Sequence, residues 1–402
     1  MGADEVEQAQ ADQGWDYGYG FVCARCVNDE ALARKIEGDA DEDETCDYCT
    51  RAPAAPIDTL LEAFFDGLHT EFSLAGDELA YFGGELAPTR HWEGDDLVNE
   101  YADALLGEDL RETVREAARH DDVWVERHFI EPRHDEALLD GWRRFSHEVM
   151  YRTRHVFWLA PPSQNEAHLG GGEIPAPAIL DALGGLIPQV DLVHEIPAGH
   201  RLWRARTHDA EQHWTACDLG TASPTQARHP NRMSPAGIPL FYGADNPTTA
   251  IQEVARHAVG TNKLVTYAAF ETTRACRVID FTRLGPIPTI FDTDRAHLRR
   301  ALMFLHEFVN LLSADAGADE HLTYVPTQIV TEYLLRVFNP ERPIHGLVYS
   351  SATGRDGRCV VVDIPQTHCL DPGDAEPDAQ AALRLVSGTL HANQALPSGL
   401  SC

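Results

Sequence analysis

The chain has 402 residues, which is enough for two or three domains of ordinary size and a sizeable buried core. Its 64 acidic and 32 basic residues give a formal net charge of -32. This charge repels phosphate backbones and anionic lipids, so we expect neither nucleic-acid binding nor membrane binding. The sequence shows no signal peptide and no apolar run of the roughly 18 residues that span a bilayer. These features predict a cytoplasmic globular protein.

Four of the nine cysteines form a regular pattern near the start of the chain. They are two Cys-x2-Cys pairs, Cys23 with Cys26 and Cys46 with Cys49, separated by 19 residues. Two such turns can bring four thiolates onto one tetrahedral Zn²⁺, so the sequence predicts a structural zinc knuckle. Unrelated reduced cysteines are the alternative. A redox pair is disfavoured because no strand-then-helix pattern surrounds either pair.

The residue pattern of the remaining chain changes along its length. Apolar residues recur at intervals of three and four between 55 and 160, which predicts helices. Glycine and proline then concentrate, and beyond them short runs such as "LFYGA" and "CVVVDI" predict a mixed α/β domain with a mostly antiparallel or mixed sheet. We therefore predict an α+β protein composed of an acidic N-terminus with the zinc knuckle (1–54), a helical domain (55–160), a linker (161–188), a mixed α/β domain (189–366) and a C-terminal tail (367–402).

One stretch of the second half, "NRMSPAGIPLFYGADNPTTAIQEV" (231–254), combines a turn, a strand and a helix start. Asn246 followed by Pro247 supplies an N-cap and a first helical position. Glu253 then lies near the border of the apolar stripe of this helix. Spacing alone favours a solvated helix residue at that position.

Several segments resemble the RES-domain family, which is named for an arginine, a glutamate and a serine. They are "LWRAR", the 231–254 stretch, "YVPTQIVTEYLL" and "GLVYSS", and together they cover about residues 190–365. The segment with the paired cysteines is similar to the zinc-knuckle start of the helical, HEPN-like module found in front of some RES domains. The two resemblances span nearly the whole chain.

The resemblance implies a fold related to ADP-ribosyltransferases and an NAD-degrading activity. Such a toxin or immune effector splits the bond between nicotinamide and ribose, with water or phosphate as the acceptor. An antitoxin or regulatory protein and a second copy of the chain are the protein partners that it suggests. Transfer to a macromolecule is a further alternative for the acceptor.

The resemblance also implies roles for particular residues. Breaking the nicotinamide bond builds positive charge on the ribose carbon, and the carboxylate of Glu253 could stabilise it. Arg204 matches the first family arginine, while Arg206 and Arg232 could grip the phosphates of NAD. Tyr242 fits an aromatic wall for nicotinamide or the ribose. The alternatives are a strand salt bridge, a loop arginine and a core tyrosine.

The family serine is where this sequence departs from the pattern. In "YVPTQ", Thr327 occupies the place of the serine, and its hydroxyl keeps the same hydrogen-bonding capacity. Gln328 beside it is an additional polar candidate. Ser350 and Ser351, at the end of "GLVYSS", are the alternatives for the same role.

The helical region allows two further interpretations. Arg115-x4-His120 has the spacing that HEPN ribonucleases use, and histidine suits general acid–base work on an RNA 2′-hydroxyl. The acidity of the chain argues against RNA binding. A non-catalytic, zinc-stabilised interaction module over residues 15–160 is the other interpretation, in which this half senses, inhibits or oligomerises.

Overall fold

The computed structural model describes residues 14–77, 81–82, 85–86, 90–119, 122–159, 171–255, 263–313, 320–351, 357–377 and 380–395. The chain divides into two compact units, the first formed by Met1–His134 with Pro286–Ala301 and the second by Asp135–Gly285 with Leu302–Cys402. Within the described residues, no helix is both long and apolar enough to cross a bilayer. The domain boundaries drawn from composition stay predictions.

The first unit combines helices with short strands. Its strands are β1 (Phe21–Val22), β2 (Ala55–Pro56), β3 (Phe72–Leu74), β4 (Tyr81–Phe82), β5 (Glu85–Leu86), β6 (His91–Glu93) and β7 (Val123–Glu126). Its helices are α1 (Glu30–Gly38), α2 (Ile57–His69), α3 (Gly94–Glu100) and α4 (Glu108–Ala117). Strands β3, β7 and β6 form an antiparallel sheet that the sequence did not predict. Each has three or four residues, too few to show an alternating pattern.

Aromatic side chains fill the core of the first unit. Phe64 and Phe65 on α2 are fully buried. The ring of Phe64 stacks on Phe291 at a centroid distance of 4.9 Å, and the ring of Phe65 stacks on Trp15 at 5.9 Å. Residues far apart in the chain therefore complete one core, and Phe291 belongs to it although it lies more than two hundred residues beyond α2.

The second unit contains most of the sheet structure. Its helices are α5 (His134–Tyr151), α6 (Ile179–Gln189), α7 (Ala216–Leu219), α8 (Pro247–Ala255), α9 (Ala296–Ser313), α10 (Glu320–Thr323) and α11 (Val325–Arg336), of which α5 and α9 begin at residues of the first unit. Its strands are β8 (Val193–Ile196), β9 (Arg201–His208), β10 (Phe241–Ala244), β11 (Leu264–Thr272), β12 (Cys276–Asp280), β13 (Gly346–Ser350), β14 (Arg358–Val362), β15 (Cys369–Leu370), β16 (Leu383–Leu385) and β17 (His391–Ala395).

These strands form one 10-stranded mixed sheet, as predicted. Its order is β15-β16-β11-β9-β10-β14-β13-β12-β8, and β17 also pairs with β11. The β12–β13 and β15–β16 pairs are parallel, and the other pairs are antiparallel. Strand β9 pairs with β11 from Arg201 to His208 without a break in register. Arg204 and Arg206, two residues apart on β9, therefore project from the same face.

Two segments are more ordered than their composition indicated. The predicted linker includes α6, whose residues Ile179, Leu183, Leu186 and Ile187 are buried. The predicted tail contributes β15, β16 and β17 to the sheet. In both segments the Gly and Pro of the connections dominated the composition, while the ordered pieces between them are short.

The 231–254 stretch folds as its sequence predicts. Strand β10 covers the predicted strand, and α8 begins at Pro247. The Oδ1 atom of Asn246 accepts a hydrogen bond from the backbone N–H of Thr249 at 2.8 Å, which confirms the predicted N-cap. Glu253 is half-buried on the following turn of α8.

Removing this cap should destabilise the second unit. We expect Asn246→Ala to lower the free energy of unfolding by about 0.5–2 kcal/mol, because the N–H of Thr249 loses its partner. Asn246→Asp keeps a side-chain acceptor and should unfold like the parent protein. Urea unfolding followed by circular dichroism measures both. Equal stability of the Ala and Asp variants would contradict the cap.

Candidate functional site

A cavity of about 560 Å³ opens in the second unit. Its charged and aromatic lining consists of Arg204, Arg206, Arg228, His229, Arg232, Tyr242, Glu253, Tyr324 and Tyr349. Among the described residues that line it, Glu253 carries the single carboxylate. In a chain with a net charge of -32, this local excess of arginine is strong and favours an anionic ligand.

Arg204 is held against the wall of the cavity by backbone carbonyls. Its Nη1 donates to the carbonyl oxygen of Tyr242 at 2.7 Å, and its Nε donates to that of Leu219 at 3.3 Å. These bonds use part of the five N–H donors of a guanidinium group. Burial, and secondarily the neighbouring charge of Arg206, lower the pKa of Arg204 to about 9.

Arg206 is anchored in the same way. Its Nε donates to the carbonyl oxygen of Leu219 at 2.9 Å, and its Nη2 donates to that of Gly220. Burial lowers the pKa of Arg206 below its ordinary value. Both guanidinium groups thus bind the carbonyl oxygen at the end of α7, which fixes their positions.

Arg232 reaches the cavity from the turn before β10. Its Nη1 donates to the carbonyl oxygen of Leu312 at 2.6 Å, and its guanidinium group lies 5.1 Å from the ring centroid of Tyr324. The side chain is buried. The structure therefore brings all three sequence-predicted arginines to one cavity.

Tyr242 closes the cavity beneath Arg204. Its hydroxyl accepts a hydrogen bond from the N–H of Met233 at 3.2 Å and lies 2.9 Å from the hydroxyl of Ser234. Burial raises the pKa of Tyr242 to about 12, so the phenol is neutral at physiological pH. These bonds tie the strand to the turn that carries Arg232.

Thr327 and Gln328 brace that turn and do not line the cavity. The hydroxyl of Thr327 lies 2.5 Å from the carbonyl oxygen of Arg232 and 2.9 Å from that of Tyr324. The side-chain amide of Gln328 donates to the carbonyl oxygen of Asn231 at 2.8 Å. Both side chains are buried, so they support the backbone of the turn.

A different hydroxyl reaches Glu253. The Oγ of Ser351 donates to Oε1 of Glu253, and the backbone N–H of Ser351 donates to the carbonyl oxygen of Gly357 at 2.7 Å. A side chain at Gly357 would lie 2.8 Å from Thr249 of α8, so this glycine permits close approach to the helix. Ser350 is exposed and outside the cavity lining.

The sequence interpretation missed Arg228, His229, Tyr324 and Tyr349. For Tyr349 a signal was present, because it lies two residues before Ser351 and alternate residues of a strand share a face. Burial raises the pKa of Tyr349 well above its ordinary value, with further contributions from Cys359, Tyr242 and Glu253. The other three lie in turns or at a helix start, where no periodicity marks them.

The four paired cysteines converge in the first unit, as predicted. The Sγ atoms are 3.4 Å apart for Cys23 and Cys49, 3.6 Å for Cys26 and Cys46, and 3.9 Å for Cys23 and Cys26, and all four lie within 4.8 Å of one another. A tetrahedral site with metal–sulfur bonds of about 2.3 Å has sulfurs about 3.8 Å apart. The cluster can therefore hold a metal ion.

The proposed ribonuclease pair is described in part. The Nε of Arg115 donates to Oδ1 of Asn99 at 3.1 Å, and its guanidinium group pairs with Glu108 and Glu112. His120 lies outside the described residues. Arg115 is thus engaged in surface ion pairs, and the structure describes no arrangement of the two residues.

The fold and the described lining of the site define an α+β protein with an arginine-rich cavity that contains the carboxylate of Glu253. The family model described as the RES domain matches residues 201–384, and the one described as HEPN/RES N-terminal domain 1 matches residues 39–163. The chain therefore contains a RES domain preceded by a HEPN/RES N-terminal module. Searches of curated proteins and of solved structures found no significant match. RES domains act on NAD, which supports a toxin-like, NAD-related function at the level of the family.

The anchored arginine predicts how ligand binding depends on pH. Because the pKa of Arg204 is about 9, its charge is present below that pH and is lost above it. Affinity for ADP-ribose, whose diphosphate keeps its charge, should therefore fall as the pH rises from about 8 to about 10. Isothermal titration calorimetry measures this.

Arg204→Gln is the control for this dependence. It should bind ADP-ribose about tenfold more weakly at pH 8, because one charge-assisted hydrogen bond is lost. Its affinity should change less between the two pH values than that of the parent. A parent affinity that does not change with pH would contradict the assignment to Arg204.

Proposed function

We propose that the protein is an NAD-degrading enzyme that cleaves the bond between nicotinamide and ribose, with water or phosphate as the acceptor. We propose further that it acts as a cytoplasmic toxin or immune effector. The observation that carries the proposal is the position of Glu253, a lone carboxylate among the described lining of a cavity with four arginines. The match of residues 201–384 to the RES domain supports the same substrate.

The arginines suit the pyrophosphate of NAD. A guanidinium group can bind two phosphate oxygens at once, and it keeps its charge at physiological pH. Arg204 and Arg206 are fixed by backbone carbonyls, and Arg232 reaches the cavity from the turn before β10. We assign these three to the phosphates and Tyr242 to the wall beside the ribose.

Glu253 suits the step that breaks the bond. The bond between the ribose carbon and the ring nitrogen breaks, and its electron pair stays with nitrogen, so nicotinamide leaves as a neutral molecule. Positive charge then develops on the ribose, and a carboxylate beside it lowers the barrier. Water would add its oxygen to the ribose carbon and release a proton, which Glu253 could accept.

The geometry favours Ser351 for the role of the family serine. Its hydroxyl donates to Glu253, whereas the hydroxyl of Thr327 lies against the carbonyls of Arg232 and Tyr324. A hydrogen bond to the carboxylate favours its charged form and limits its rotation. We assign Thr327 and Gln328 to supporting the turn.

We also propose that the cysteine cluster binds structural zinc. Four thiolates fill a tetrahedral site and leave no open position for catalysis. Bound zinc would join the two Cys-x2-Cys turns and contribute to the folding free energy of the first unit. The N-terminal module would then serve as the contact for an antitoxin, a regulatory protein or a second copy of the chain.

The enzymatic proposal predicts the effect of one substitution. Glu253→Gln should lower nicotinamide release from NAD by at least about a hundredfold, because the neutral amide does not stabilise the cationic ribose. Release is followed with and without phosphate in the buffer. The matched control is Glu307→Gln, which removes an exposed carboxylate of α9 and should retain activity. A folded parent protein without turnover in either buffer would refute the proposal.

Zinc is tested by elemental analysis of protein purified without chelator. We expect about one zinc per chain, and Cys46→Ser should lower both the zinc content and the Tm, because a three-cysteine site binds the ion more weakly. The control is Cys217→Ser, which changes an exposed cysteine outside the cluster. A metal-free protein with the same Tm as the zinc-bound protein would contradict a structural role of the metal.

A further inference from the structure

A second, smaller cavity adjoins the arginine-lined one. The two share six lining residues, namely Arg204, Ala205, Tyr242, Glu253, Val254 and Tyr349. The smaller cavity is completed by Trp203, Gly243, Ala244, Ala250 and Cys359, and we refer to it as the recess. Glu253 therefore stands where a cationic cavity meets the recess.

The recess is small and mostly apolar. Its volume is about 60 Å³, several times the roughly 10–15 Å³ that one water molecule requires by this measure. Gly243 and Ala244 on β10 and Ala250 on α8 create the space, because larger side chains there would fill it. A single planar ring is the kind of group that such a space accepts.

Tyr349 places a polar group at the wall of the recess. The residue is 8% exposed and lines both cavities. Among the described residues none makes a side-chain hydrogen bond with this phenol. Its oxygen is not sealed inside the protein but faces the open space of the cavities, where it can bind a polar group. The hydroxyl of Tyr242, by contrast, is engaged with Met233 and Ser234.

The phenol of Tyr349 acts as a neutral donor. Burial raises its pKa well above the ordinary value, and the nearby charge of Glu253 acts in the same direction. Its proton is therefore retained at physiological pH, and the group can donate to a carbonyl oxygen. It cannot serve as a general base there.

Building on the proposed function, we propose that the recess takes the nicotinamide ring of NAD and that the Tyr349 hydroxyl donates to the carboxamide oxygen of that ring. The diphosphate then lies among the arginines, and the bond that breaks lies beside Glu253. The ring is a cation in NAD and neutral once the electron pair has moved to its nitrogen. Apolar walls favour the neutral form of the ring, so the recess promotes the departure of nicotinamide from the ribose.

Two substitutions test the recess. Tyr349→Phe keeps the ring and removes the hydroxyl, and Ala250→Val narrows the space. Each should weaken the binding of nicotinamide, which is measured from product inhibition and by direct calorimetry, and each should raise the KM for NAD. For Tyr349→Phe we expect about a five- to tenfold effect, the usual value of one hydrogen bond. Affinity for ADP-ribose, which lacks nicotinamide, should stay unchanged in both.

The matched control is Tyr267→Phe. This tyrosine lies on β11, stacks on His391 and lines neither cavity. Removing the hydroxyl of Tyr267 should change neither the inhibition by nicotinamide nor the KM for NAD. An equal effect of the two phenylalanine variants would overturn the assignment of Tyr349.

The outcomes separate this inference from the enzymatic proposal. If Tyr349→Phe turns NAD over and binds nicotinamide as tightly as the parent, the assignment of the recess to nicotinamide is refuted, whereas the enzymatic proposal stands. If Ala250→Val fails to fold, Tyr349→Phe alone decides. If the parent protein shows no turnover of NAD but binds nicotinamide in a way that depends on Tyr349, the assignment of the recess is supported and the enzymatic proposal fails. A parent protein that binds no nicotinamide overturns the recess.

Discussion

The site depends on two half-buried arginines that share one acceptor. The guanidinium groups of Arg204 and Arg206 both donate to the carbonyl oxygen of Leu219. Two like charges that are partly removed from water repel each other and are costly to desolvate, and backbone carbonyls offset part of that cost. An anion in the cavity would offset more of it. The register of β9 places both side chains on one face, and the end of α7 holds them there, so strand pairing and helix position together determine the charge of the cavity.

Local chemistry explains what could be predicted. The cysteine pairs converge because each sits in a tight turn, with the N–H of Cys26 bonded to the carbonyl of Cys23 at 2.9 Å. The start of α8 was predictable because the side chain of Asn246 accepts a hydrogen bond from Thr249, only three residues further along the chain. Strands β15 to β17 and the small sheet of the first unit could not be predicted in this way. Strands β16 and β17 pair with β11, which lies more than a hundred residues earlier in the chain, and short segments leave no periodic trace of such pairing.

The serine of the family illustrates the same limit. Sequence order places Thr327 in the motif, but its position on the first turn of α11 directs the hydroxyl to nearby carbonyls. Ser351 follows β13, and the close contact of Gly357 with α8 brings it to Glu253. The distance between a hydroxyl and a carboxylate on another element is a tertiary property. A motif match records which residues occur, whereas the packing of α8 decides which hydroxyl the carboxylate meets.

The core of the first unit has a consequence for modularity. Ile290 and Phe291 are buried in that core, yet they lie inside the residue range that matches the RES domain. The chain thus leaves the second unit after Gly285, supplies Pro286–Ala301 to the first, and then continues through α9. A fragment cut at the borders of the RES match would carry these apolar side chains without the aromatic residues that cover them. The two units are distinct as packed bodies but interleaved along the chain, so neither can be excised as one contiguous piece.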